Sequence, residues 1–169
     1  LASECARQGE FQKGSDHALN AEVRLAELGI ELPEPAVPAG SYVTSVQSGN
    51  MLYLAGHLPA ATEGSWSGKV GSDLDTDEGA KVARAVGINL LATIRSALGN
   101  LDRVVRIVKV VGFVNSAPGF SDQPRVINGC SDLMAQVFGE RGRHARSAVG
   151  ANELPLNTPV EIEMIVQFE

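Results

Sequence analysis

The segment from Val104 to Val114, VVRIVKVVGFV, constrains this chain more than any other. It is rich in β-branched residues, and period-two alternation puts valine, isoleucine or phenylalanine on both of its faces. Such a segment reads as a strand covered on both sides. What lies before and after it therefore has to supply two covers.

One cover is helical. Thr76 opens a helix in which Val82, Val86, Leu90, Ile94 and Leu98 recur near the helical period, and Gly99-Asn100 ends it. A second helix starts at Ser121 or Asp122 with Pro124 in its first turn. It lines up Val126, Ile127, Cys130, Leu133, Met134, Val137 and Phe138, and Gly139 stops it. Further strands precede and follow. Residues 42–48 and 51–55 flank Gly49-Asn50, a dipeptide suited to a tight hairpin, and 144–149 and 160–168 alternate near the C-terminus. The expected fold class is α+β, with two helices on one face of a mixed β-sheet. Two helices leave the other face of Val104–Val114 bare, so a symmetric oligomer is the simplest second cover.

Ahead of this lies a short helix over 20–28, closed by Gly29 before Pro33, Pro35 and Pro38. Residues 1–40 thus read as a tail, a short helix and a Pro-rich linker, and 41–169 as one domain of ordinary globular composition. The chain opens on Leu1 rather than Met, and its first residues carry no weight in the fold reading. They lack a signal peptide's apolar centre, and no apolar run is long enough to span a bilayer. Cys5 and Cys130 are too few for a disulfide framework, and Cys130 reads as a buried thiol. A cytoplasmic protein without membrane association is expected. The net charge of -6 argues against nucleic acid as a partner. The three scattered histidines make no metal site.

Chemistry concentrates at the C-terminal end. In the last strand Val160, Ile162, Met164, Val166 and Phe168 share one face, while Glu161, Glu163 and Gln167 share the other. If Val149 points into the core, Arg146 and Glu161 emerge together on the opposite side. From the residues alone, an interface ion pair between them is the simpler reading, and a carboxylate-binding site is the alternative. Tyr42 suits an interface aromatic or a pocket wall. Asn128 suits local helix bonds, and His57 a structural place or the lining of a cleft. His144, two residues from Arg146, is placed to make ligand binding pH-dependent.

Three segments carry a resemblance: AGSYVTSVQSGNMLYLAGHLP, FVNSAPGFSDQPRVING and ARSAVGANELPLNTPVEIEMI. From about Pro38 to Phe168 the chain resembles the Rid family, also called YjgF-like proteins, reactive intermediate deaminases or L-PSP-type endoribonucleases. The resemblance implies a chorismate-mutase-like fold assembled as a homotrimer, with ligand clefts between subunits and no cofactor. It implies that Arg146 grips the carboxylate of a 2-imino or 2-keto acid and that Glu161 handles water. It further implies that Tyr42, Asn128, Ala55 and Ala148 line the substrate site, and His57, from its place after Ala55-Gly56, is counted with them. Ala55 stands where the family has serine, Ala148 where well-studied deaminases have cysteine, and His144 where proline is usual. With the N-terminal extension, these departures mark a divergent subgroup.

The activity implied is hydrolysis of enamine or imine intermediates of the 2-aminoacrylate type to 2-keto acids and ammonia. A trimer that binds small carboxylates without turnover is the second reading, favoured by Ala55 and opposed by Glu161. Endoribonuclease activity is the third, disfavoured by the acidic balance and by the absence of a paired His/Lys acid-base motif.

Overall fold

The computed structural model describes residues 20–38, 40–60 and 66–169. Its elements run α1 (Ala21–Glu27), β1 (Ser45–Ser48), β2 (Met51–His57), α2 (Thr76–Leu98), β3 (Val104–Asn115), α3 (Gln123–Phe138), β4 (Ala145–Ala151) and β5 (Val160–Phe168), with single 3₁₀ turns between some of them. The five strands form one mixed sheet in the order β1-β2-β5-β3-β4. All pairs are antiparallel except β3 with β4. Helices α2 and α3 share one core with the sheet, so the architecture is α+β as the patterning indicated.

Local chemistry explains the boundaries. The α2 stripe of Val82, Val86, Leu90, Ile94 and Leu98 is buried, which stabilises the layer by about 1.5–3 kcal/mol per large aliphatic side chain. Its N-cap is Asp75 rather than Thr76: the Asp75 carboxylate accepts from the Glu78 amide and the Glu78 carboxylate from the Asp75 amide, a capping box. Gly99 at φ 82 closes it. The β1–β2 hairpin turns at Gly49-Asn50, with Gly49 at φ 58. The two helices cross so closely that a Cβ at Gly129 would overlap the Ala80 carbonyl oxygen, and this brings α3 down beside β4. Helix α1 packs into the same core through Ala21 and Leu25. The Ala21 amide donates to Asp102 Oδ1 (2.6 Å) and the Leu101 amide to Glu22 Oε1 (3.1 Å).

One face of the sheet packs on the helices: Leu52, Leu54, Ile107, Val110, Val114, Ile162, Met164 and Val166 are all buried. The other face carries Val46, Tyr53, Val111, Phe113, Val149 and Ile165, in cross-strand rows such as Val149–Phe113–Glu161. Val46, Tyr53 and Val149 are 53%, 45% and 46% exposed, so among the described residues nothing covers this apolar face.

Candidate functional site

Arg146 is anchored from α3. Its Nη1 donates to Asn128 Oδ1 (2.8 Å) and Ser131 Oγ (3.1 Å), and its Nη2 to the Pro124 carbonyl (3.1 Å). A guanidinium has five N–H donors, so among the described residues Nε–H and one Nη2–H have no acceptor and remain for a ligand. Two such donors suit a bidentate carboxylate. They border an open pocket of about 410 Å³ lined by Asn128, Ser131, Asp132, Arg143, His144 and Arg146. Asn128 and Ser131 face Arg146 together because residues three apart in a helix share a side.

Glu161 sits elsewhere. It is half-buried on β5, its carboxyl laid against the backbone of Gly56. A Cβ at 56 would overlap Glu161 Oε1 and lie 2.9 Å from Cδ. The space exists because the β2–β5 register shifts between Leu54 and His57, a bulge that places Ala55-Gly56 beside the carboxyl. Burial first and neighbouring Glu163 second push the Glu161 carboxyl above the ordinary carboxylate range.

The expectation that Arg146 and Glu161 share a side is overturned. Register pairs Arg146 with Val110 and Val110 with Met164, a row on the helix-facing side. Glu161 pairs with Phe113 and Phe113 with Val149, the opposite side. Val149 points outward, not into the core, and Ala148 packs inward. The two groups also stand two strands apart laterally and three residues apart along the sheet, roughly 10 Å in each direction. One small molecule cannot touch both within a single chain.

The remaining expected residues divide in the same way. Ala148 follows Arg146 on the helix-facing side, and Asn128 holds Arg146 directly. Ala55 adjoins Gly56 and Glu161, and its amide donates to the Thr44 carbonyl (2.9 Å), which ties the segment after Tyr42 to β2. Tyr42 is 49% exposed. His57 lines no cleft: it is 3% exposed, with Nδ1 2.7 Å from the Ala55 carbonyl and Nε2 2.8 Å from Thr93 Oγ1 on α2. Ser131 and Gly56 were not singled out from the sequence. The three-residue step from Asn128 was a legible signal for Ser131, whereas the contact of Gly56 with Glu161 is long-range.

Burial lowers the pKa of His57 and also that of His144. Each is therefore protonated more readily in the unfolded chain than in the folded one. Their contribution to stability is complete above the unfolded value of 6.5 and is lost as pH falls through it toward the folded values. Urea unfolding between about pH 7.5 and about pH 5.5 is expected to show wild-type stability falling with acid, with a shallower slope in His57→Gln. Equal slopes would remove His57 from this account. Burial pushes the Cys130 thiol up to about 12, so it is no nucleophile at neutral pH. Among the described residues no group of acidic, histidine or cysteine side chains is arranged to hold a metal ion, and no helix is long and apolar enough to cross a membrane.

Comparison with known proteins agrees with this architecture. A family model described as "YjgF/chorismate mutase-like, putative endoribonuclease" matches residues 22–167. Protein TCP17 of Trypanosoma cruzi is 46% identical over 85% of this chain and 91% of its own length. A 2-iminobutanoate/2-iminopropanoate deaminase of Dermatophagoides farinae is 32% identical over 83% of this chain and 95% of its own. The crystal structure of Atu1372 from Agrobacterium tumefaciens, a protein of unknown function, superposes with a TM-score of 0.81 at 44% identity, covering 88% of this chain and 92% of that one. Sequence, fold and length agree, and the chain belongs to the YjgF/chorismate mutase-like family.

Proposed function

We propose that the protein hydrolyses enamine and imine intermediates of the 2-aminoacrylate type to 2-keto acids and ammonia, without a cofactor. The reaction takes place in clefts of a homotrimer where Arg146 of one copy meets Glu161 of another. The observation that carries this reading is the Arg146 guanidinium, held by three acceptors with two donors left on an open pocket. The apolar sheet face supports assembly, and the deaminase name of the Dermatophagoides relative supports the reaction class. A cytoplasmic setting suits the unpaired thiol of Cys130.

The chemistry follows from the groups. The enamine tautomerises to the imine, whose carboxylate docks on the two free Arg146 donors and whose C=N carbon stays open. Glu161 takes a proton from water as the oxygen bonds to that carbon, and returns it to nitrogen. Collapse of the carbinolamine forms C=O and releases ammonia. Desolvation and neighbouring Glu163 raise the Glu161 pKa, and an Arg146 brought beside it from another copy would oppose that shift.

Ala55 favours a second reading, a trimer that binds 2-keto acids without turnover, because it brings no hydroxyl to the Glu161 side. A serine dehydratase generating 2-aminoacrylate, with semicarbazide trapping the surviving imine, separates the two. The proposed activity requires faster keto-acid release than in the enzyme-free control, whereas equal rates with retained keto-acid binding select the second reading.

A further inference from the structure

The hydrogen-bond chain behind Arg146 has a fixed direction. His144 Nδ1 lies 2.6 Å from the Gly142 carbonyl, which only accepts, so Nδ1 carries hydrogen and the neutral ring presents a lone pair at Nε2. Ser131 Oγ, 3.0 Å from Nε2, must then donate to it, which leaves an oxygen lone pair for Arg146 Nη1 at 3.1 Å. The second Nη1 hydrogen goes to Asn128. The far end is rigid as well: Gly142 is buried so tightly on α3 that a Cβ there would overlap the Met134 carbonyl oxygen.

We propose that Ser131 and His144 are positioning residues that hold the Arg146 guanidinium in its carboxylate-binding orientation, and that they do so only while His144 is neutral. The inference rests on the reading of Arg146 as a carboxylate clamp. Protonated His144 turns Nε2 into a donor. The Ser131 hydroxyl then loses its acceptor, and its oxygen is asked to serve an imidazolium and a guanidinium together. The structure resists that state: burial is the main cause that lowers the His144 pKa, the hydrogen bond to the Gly142 carbonyl partly offsets it, and Arg146 adds to the lowering. The other groups facing the ring do not replace this control. On α3, Asp132 lines the same pocket and the Cys130 thiol stays neutral. On the turn before β4, Arg143 is paired with Glu140 at 3.1 Å.

The sign of the pH dependence discriminates. An added positive charge on His144 would, by Coulomb attraction alone, tighten the binding of an anion as pH falls. Loss of the Arg146 orientation does the opposite. The probe is pyruvate, whose carboxylate stays ionised throughout, titrated calorimetrically into the assembled protein between about pH 8 and about pH 5.5. Wild-type affinity is expected to fall a few-fold across that range, short of about tenfold because the His144 pKa lies below its ordinary value. His144→Gln, whose amide oxygen accepts from Ser131 without titrating, keeps affinity near wild type at the upper pH and gives a flat profile. Ser131→Ala weakens binding about tenfold at the upper pH and flattens the profile, and Ser131→Thr restores both.

Wild-type affinity that is flat or rises with acid overturns the inference, as does Ser131→Ala with wild-type affinity and slope. Arg146→Ala is the control that separates the two levels. If it binds pyruvate as tightly as wild type, the proposed function falls along with the inference. If it abolishes binding while Ser131→Ala and His144→Gln behave as wild type, only the inference falls.

Discussion

Arg146→Ala is expected to lower kcat/KM for the proposed imine hydrolysis by about a hundredfold to a thousandfold, with a parallel loss of 2-keto acid binding. Two charge-assisted hydrogen bonds to a carboxylate are lost at once, and no neighbouring cation replaces them with the same geometry, since Arg143 is turned to Glu140. Arg146→Lys is expected to rescue little. An ammonium cannot reach Asn128, Ser131 and the Pro124 carbonyl together and still offer a planar pair to the ligand. The fold tolerates both variants, because Asn128 and Pro124 are exposed and regain water as a partner. Steady-state kinetics with a keto-acid titration checks this, and a variant within threefold of wild type in both would remove Arg146 from the site.

Gly56→Ala is expected to cost nearly as much by a different route. The methyl group occupies the volume of Glu161 Oε1, and the carboxyl has to swing away from the bulge. Glu161 is only half-buried, so it can move outward, and the fold survives. Displacing a proton acceptor by an ångström or more removes general-base assistance, about a hundredfold in kcat, while KM changes little because Arg146 still binds the carboxylate. Glu161→Gln is the comparison. The two variants should resemble each other in kcat and both differ from Arg146→Ala, whose defect includes binding. A Gly56→Ala enzyme with wild-type kcat would show that the packed position of Glu161 is not the working one.

The layers of this protein were legible where chemistry is local. The α2 stripe, the Gly49-Asn50 hairpin and the two-faced apolar strand β3 follow from periodicity and turn chemistry, and together they gave the helix-covered mixed sheet and its bare face. The site was misread where a register, rather than a pattern, decides. The pairing of Arg146 with Glu161 on one side depended on Val149 pointing into the core, yet the parallel pairing of β4 with β3 turns Ala148 inward and leaves Val149 on the open face, which carries Arg146 to the side opposite Glu161. His57 illustrates the same limit. Strict alternation from inward Leu54 sends it outward, but the extra residue of the bulge reverses the parity and buries the ring against Thr93. No local signal in a single sequence marks such a bulge. Family resemblance nominated Arg146 and Glu161, and one chain places them on opposite faces of its sheet.

That separation yields the most direct test of the account. Arg146→Ala and Glu161→Gln are each expected to lose about a hundredfold or more of the activity, but in mixed oligomers a cleft that takes Arg146 from the second variant and Glu161 from the first is whole. Equimolar co-refolding, with co-assembly verified by native mass spectrometry, should restore about a quarter of wild-type deaminase activity, the statistical share of intact clefts in a cyclic assembly. Co-assembled mixtures no more active than their parents would contradict a cleft shared between copies.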